Sequence, residues 1–163
     1  MLQKGFIEET ADWNGWSSPV FLLRKPGPPR VNVLQQFRLI VDYRILNKCT
    51  QQAFFAPPCI KTMIGDMQGN KVFSKSDWLS GYYQQSLKPE DRFKTAFTVN
   101  TPTGKKRYQF RTSCLGLSGA VSSFQKWAER VIDGIPNCRA YLDDLIIYTK
   151  TMDEHCIIYN TTS

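Results

Sequence analysis

Histidine occurs once in these 163 residues, at position 155, and no two of the five cysteines are spaced Cys-x-x-Cys. Zinc sites need several such ligands at close spacing, so none is expected. Cys49, Cys59, Cys114, Cys138 and Cys156 are odd in number and far apart. That spacing argues against a disulfide framework and for reduced, mostly buried thiols in an intracellular compartment. No long apolar run could cross a bilayer, and no charged-then-apolar leader is present, so neither membrane spanning nor secretion is indicated. The sequon Asn160-Thr161-Thr162 therefore carries no message. Internal repeats and low-complexity linkers are also lacking.

What is present describes a globular chain. Hydrophobic residues make up 42% and aromatics 13%, too much apolar surface for a disordered protein. The length suits one domain with a sizeable core, or a piece of something larger. Acids are outnumbered, 14 against 21 Lys and Arg, and the excess is local. Between Lys88 and Arg111 stand Lys88, Arg92, Lys94, Lys105, Lys106, Arg107 and Arg111, opposed only by Glu90 and Asp91. Such a basic stretch suggests a polyanionic partner, with a solvated basic loop as the plainer alternative.

The patterning predicts strands and helices intermixed around an antiparallel sheet, an α+β fold. Met1 to Trp16 reads as a short helix and loop. Ser17 to Lys25 reads as a strand entered through Pro19, broken at Pro26-Gly27-Pro28-Pro29, with a loop to about Gln36. Phe37 to Tyr43 returns as the second strand of a hairpin, with Arg24, Lys25, Arg30 and Arg38 nearby. Ile60, Met63, Ile64 and Met67 mark a short helix ending at Gly69. A strand to Asp77 follows, then a compact Ser80-Gly81-Tyr82-Tyr83 segment. Strands near 93–99 and 106–111 flank a turn at Asn100 to Gly104. Ser118 is placed to cap a helix to about Asp133, with Ala120, Val121, Phe124, Trp127, Ala128, Val131 and Ile132 as its apolar stripe. Gly134 and Pro136 stop that helix.

Tyr141-Leu142-Asp143-Asp144 comes next, two adjacent carboxylates with apolar residues on both sides. Such acids are disfavoured within a sheet core, so they predict a tight turn between two short strands. Asp77 ends another strand-like run, Lys71 to Ser76. Taken alone, the pair could be an ordinary surface turn and Asp77 a helix cap. Carboxylates converging from two strands instead make a hard-oxygen site suited to two Mg²⁺ or Mn²⁺ ions, and hence to nucleotidyl transfer. Lys25 and Arg38 could then meet a triphosphate. Tyr82 could stack under a sugar, and Gly116 would let backbone approach a ligand closely.

Ordered blocks along the chain resemble the reverse transcriptases of gypsy-type LTR retrotransposons, relatives of retroviral polymerases. Ser17-Ser18-Pro19-Val20 and Arg38 to Lys48 resemble the fingers region, and Phe73 to Gln84 the first catalytic motif. Lys94-Thr95-Ala96-Phe97 and Tyr108-Gln109-Phe110 resemble the palm segments between motifs. Gly116 to Gln125 resembles the motif along template and nucleotide, and Tyr141 to His155 the last catalytic hairpin. The resemblance covers roughly residues 2–155. It implies a right-hand polymerase fingers and palm, with an antiparallel palm sheet backed by helices and the thumb missing. Residues 1–163 would be a fragment of that domain. Approximately 1–70 and 88–115 would be fingers-like or intervening, and 71–87 and 116–155 would carry the palm motifs.

The implied activity is RNA-directed DNA synthesis, with Asp77, Asp143 and Asp144 binding two Mg²⁺ or Mn²⁺ ions. Lys25 and Arg38 would contact the triphosphate, Tyr82 would discriminate the sugar, and Leu115 and Gly116 would line the nucleotide pocket. Implied partners are an RNA or DNA template with primer, dNTPs and the remainder of a Pol polyprotein, in cytoplasmic particles with a nuclear phase open. Two departures stand out: Cys114-Leu115-Gly116 replaces the family's Pro-Phe-Gly, and Val121 replaces a proline. The rest of the family's palm, its thumb and its RNase H are not in the sequence. Exposed palm surface and weak, salt-dependent template binding are expected in consequence. The alternative is an inactive remnant that keeps the fold and some affinity for nucleic acid.

Overall fold

The structure is a computed structural model that describes residues 1–163 except 14, 29–35, 52–54, 56–57, 79–80 and 163. In chain order the elements are β1 (Ile7–Glu9), β2 (Val20–Arg24), β3 (Phe37–Val41), α1 (Arg44–Cys49), α2 (Ile60–Asp66) and β4 (Val72–Asp77). They continue with α3 (Pro89–Arg92), β5 (Phe97–Thr101), β6 (Gly104–Phe110), α4 (Ala120–Val131), β7 (Cys138–Tyr141), β8 (Asp144–Thr149) and α5 (Met152–Thr162). Two compact units result, Met1–Gln52 with Tyr82–Ala120, and Ala53–Gly81 with Val121–Ser163.

In the first unit β1, β6 and β5 form a three-stranded antiparallel sheet, and β2 with β3 form a hairpin. The expected N-terminal helix is instead strand β1, with Ile7 opposite Phe110 and Glu9 opposite Tyr108. Three residues carry no readable period of their own, so the partner strand decides their conformation. The expected strand start at 93 is also corrected. Pro89 at the first helical turn, with Glu90 and Asp91 behind it, favours α3, and Phe93–Thr95 continues as a 3₁₀ turn. Helix α1 was not foreseen, since six residues are too few for a period to show.

Ile7, Val41, Tyr43, Leu46, Phe97, Phe110 and Cys114 make the core of this unit. Inside it the Tyr43 hydroxyl donates to the Thr95 carbonyl at 2.9 Å. Outside it, Phe21, Leu22 and Leu23 of β2 lie exposed. Arg30 and most of the loop expected from Pro26 to Gln36 lie outside the described residues.

The second unit is built on an antiparallel sheet in the order β4-β8-β7. Helix α5, which follows β8 and was not foreseen, is tied down through the single histidine. His155 Nδ1 lies 3.0 Å from Thr149 Oγ1 and Nε2 lies 2.7 Å from Ser74 Oγ, so one buried ring links α5 to β8 and β4. Phe124 and Ala128 of α4 are fully buried, whereas Val121 and Val131 of the expected stripe are exposed. Gln125 takes a buried place instead, for polar reasons set out below. Ser118 does not cap the helix. Its hydroxyl is buried without a partner among the described residues, while its N–H donates to Asn47 Oδ1.

Gly81 shows how tightly the second unit is packed. A methyl group there would lie 2.6 Å from Phe124 Cζ and 3.2 Å from Trp78 Cβ. Phe124 is fully buried and holds Trp78 and Trp127 in ring contact, so it has nowhere to retreat. Gly81→Ala is expected to destabilise the chain by about 1–3 kcal/mol, read as a lower urea midpoint at unchanged slope.

All five cysteines are free, but Cys49, Cys59 and Cys156 are exposed, which corrects the expectation of mostly buried thiols. Burial pushes the Cys114 thiol up to about 12 and raises that of Cys138. Cys59 goes the other way, because the backbone N–H groups of Thr62 and Lys61 favour its thiolate. A lowered value means more thiolate at neutral pH, and thiolate is the reactive form. In timed alkylation with iodoacetamide near pH 7, read by mass spectrometry, Cys59 is expected to react first and Cys114 and Cys138 not at all while folded.

Candidate active site

Register brings the acids together. In the β4–β8 pairing Asp77 lies opposite Asp144, and in the β7–β8 pairing Tyr141 lies opposite Asp144. Only Leu142 and Asp143 are left to make the turn. Two-residue hairpin turns favour left-handed backbone, normally supplied by Gly or Asn, yet Leu142 sits at φ +52°. For a branched side chain that conformation costs roughly 1–2 kcal/mol.

Gln125 holds the turn in place. Its side chain is almost wholly buried on α4. The Leu142 N–H donates to Gln125 Oε1 at 2.7 Å, and Gln125 Nε2 donates to the Ala140 carbonyl at 2.9 Å and to Glu129 Oε1 at 3.0 Å. A second tie joins the two acid-bearing segments directly, since the Trp78 N–H donates to the Asp143 carbonyl at 3.0 Å. The Trp78 ring stands edge-on to Phe124 and Trp127, which anchors the residue after Asp77 to α4.

A cation already stands among the carboxylates. Lys75 Nζ is 2.9 Å from Asp144 Oδ2 and 3.9 Å from Asp77 Oδ1. The hydrogen bond from Lys75 is the main reason the Asp144 carboxyl lies below its usual range, and contact with Asp77 adds to it. Folding thus favours the ionised form. The pairing contributes above the ordinary carboxylate value and is lost as pH falls through the depressed one.

An oxygen-only donor set on two facing strands, with positive charge drawn between them, fits a hard divalent ion. Among the described residues no group of three or more His, Cys, Asp or Glu is gathered closely enough to hold a metal. The structure pairs Asp77 with Asp144 and places Asp143 beside them in the turn.

The other candidates belong to the first unit. Lys25 follows β2, its N–H donating to the Gln36 carbonyl at 2.7 Å. Arg38 is exposed on β3 opposite Leu23. Tyr82 lies half-buried in the 3₁₀ turn Gly81–Gln84, and Leu115 is exposed. Gly116 adopts φ +99°, a conformation only glycine takes easily. Asn47 braces this loop from both sides: its Nδ2 donates to the Gly116 carbonyl at 2.8 Å, and its Oδ1 accepts the Ser118 N–H at 2.9 Å.

Much of the basic stretch proves to be internally neutralised. Arg92 and Arg111 reach Glu8, Lys106 reaches Glu9, and Lys94 reaches Asp91. Arg107 is buried, bonded to the Trp16 carbonyl and stacked on Trp13. Lys88 and Lys105 remain exposed. Two of the three pairing acids, Glu8 and Glu9, come from β1, a strand the sequence had hidden.

Gln125, Asn47 and Lys75 are the positions that sequence reasoning did not single out. Lys75 was within reach, because strand alternation puts residues 75 and 77 on one face.

A family model described as reverse transcriptase (RNA-dependent DNA polymerase) matches residues 23–163. Among curated proteins, the retrovirus-related Pol polyprotein from transposon opus of Drosophila melanogaster is 32% identical over 161 residues, covering 95% of this chain and 15% of that protein. The enzymatic polyprotein of Cestrum yellow leaf curling virus is 29% identical over 155 residues, covering 94% and 23%. This chain therefore spans less than a quarter of the length of either. Among solved structures, a foamy viral protease-reverse transcriptase in complex with double-stranded DNA superposes with a TM-score of 0.83 at 20% identity, covering 98% of this chain and 26% of that one. The likeness establishes the fold as that of the retroviral polymerase fingers and palm.

Proposed function

The chain belongs to the reverse transcriptase (RNA-dependent DNA polymerase) family, and we propose that Asp77, Asp143 and Asp144 form a two-metal site for template-directed addition of dNTPs to a primer 3′-hydroxyl. The observation that carries this reading is the register that sets Asp77 against Asp144 across β4 and β8, with Asp143 in the adjoining turn. Magnesium or manganese ions, when bound, supply a lowered pKa for the attacking hydroxyl and neutralise the leaving pyrophosphate.

The residues of the chain do the rest. Asp77 and Asp144 bring carboxylate oxygens from two strands, and the Trp78–Asp143 backbone bond and Gln125 fix where the turn between them stands. Fixing donor positions in advance is what makes such a site effective. On the same proposal Arg38 and Lys25 would contact the triphosphate, Tyr82 the sugar, and Leu115 and Gly116 would line the nucleotide pocket. Gly116 has the backbone freedom and the Asn47 brace that such a role asks for. Template and primer are the proposed macromolecular partners, with the exposed Lys88 and Lys105 available to phosphates.

Primer extension on a homopolymeric RNA template tests the proposal. Incorporation of the complementary dNTP that needs Mg²⁺ or Mn²⁺ and falls steeply with salt is the expected result. No incorporation with either ion, at low salt and high enzyme concentration, would overturn it for this chain.

A further inference from the structure

Asp77 and Asp144 are direct cross-strand neighbours. Like charges so placed repel, and a sheet carrying them needs a counter-charge. The chain provides one two residues earlier on the same strand and the same face. Lys75 Nζ touches Asp144 at 2.9 Å and stands 3.9 Å from Asp77. Among the described residues, the other basic residue of this unit in a salt bridge, Arg139, is turned to Asp66 and takes no part.

We propose that Lys75 is a built-in counter-ion of the metal site, holding Asp77 and Asp144 together before a divalent ion arrives and swinging out when one binds. This rests on the reading of those carboxylates as metal ligands. Three observations support the exchange. An ammonium on a flexible four-carbon stem is a mobile point charge that can leave without disturbing the sheet. The Lys75 side chain is 60% exposed and the Asp144 side chain 38%, so their pairing is screened by water and weak. A divalent ion brings twice the charge and direct oxygen coordination, and it prevails in that competition. Lys75 is thus a positioning residue. Its presence weakens metal binding while preventing the unliganded carboxylates from splaying apart.

Manganese binding to the purified chain tests this without any appeal to catalysis, with free Mn²⁺ followed by electron paramagnetic resonance. Lys75→Met is expected to tighten Mn²⁺ about two- to fivefold, the range an exposed ion pair spans. Lys71→Met makes the same charge change just ahead of β4 and is expected to leave binding nearly unchanged, since screening removes distant charge effects. Without metal Lys75→Met should melt lower than the parent, and its melting temperature should rise more on adding Mn²⁺.

Affinity left unchanged or weakened by Lys75→Met, or raised equally by Lys71→Met, would overturn the inference and leave the metal-site reading standing. Mn²⁺ binding indifferent to both Asp77→Asn and Asp143→Asn would overturn the two together.

Discussion

Replacing Asp77 or Asp143 with Asn is expected to cut primer extension by about a thousandfold or more, because several kcal/mol of charge stabilisation at the proposed metal site is lost and each 1.4 kcal/mol is tenfold in rate. Asn keeps the size and one oxygen of Asp but not its charge, so the substitution isolates electrostatics from shape. The Asp77 side chain is 80% exposed and its nearest cation is 3.9 Å away. An exposed pair that loose contributes little to folding, so stability should move by no more than about 0.5 kcal/mol. Asp143 contributes its backbone carbonyl to the Trp78 N–H, a bond that substitution of the side chain does not touch. Asp144→Asn should fall less in rate and also release Lys75. Rates measured beside thermal melts decide the matter. A loss of activity that merely tracks a loss of fold would remove these acids from the site, and activity equal to the parent would mean the site lies elsewhere.

What could be read in advance followed from chain-local signals. The double-Asp hairpin stood out because Gly134 and Pro136 end α4 and apolar residues flank the turn on both sides. Beta strand β4 showed through its alternation up to Asp77. Strand β1 and helix α1 did not show, because three and six residues have no period, and their conformations come from partners far along the chain. The same holds at the site. Asp77 and Asp144 are 67 positions apart, and composition says nothing about their being opposite one another; only the β4–β8 register does. The ion pairs within the basic stretch were hidden for a related reason. Its charges were counted along the sequence, whereas Glu8 and Glu9 reach them from β1 across the sheet. Gln125 was hidden differently, as a polar residue in a helix whose apolar stripe drew the eye.

Gln125→Met should do more harm than its conservative size suggests. Methionine nearly matches glutamine in volume, so packing around the buried position is preserved, and the effect reports the lost hydrogen bonds. Three bonds go at once, leaving the Leu142 N–H and the Ala140 carbonyl without their side-chain partner. The buried Ala140 carbonyl so orphaned costs about 1–3 kcal/mol and the part-buried Leu142 N–H somewhat less, so a loss of about 2–4 kcal/mol in unfolding free energy is expected. Activity should fall further than stability predicts. With its N–H unheld, Leu142 has less reason to remain at φ +52°, and relaxation of that turn carries Asp143 with it. Displacements of even an ångström at a reacting centre cost about a hundredfold, so primer extension at a temperature where the variant is fully folded should drop by about that factor. Adding Leu142→Gly removes the steric objection to left-handed backbone and is expected to restore up to about 1 kcal/mol of stability in this background, but little of the rate. If Gln125→Met lost stability and kept full activity while folded, the glutamine would be a packing element alone, and the turn would owe its shape to the strands that flank it.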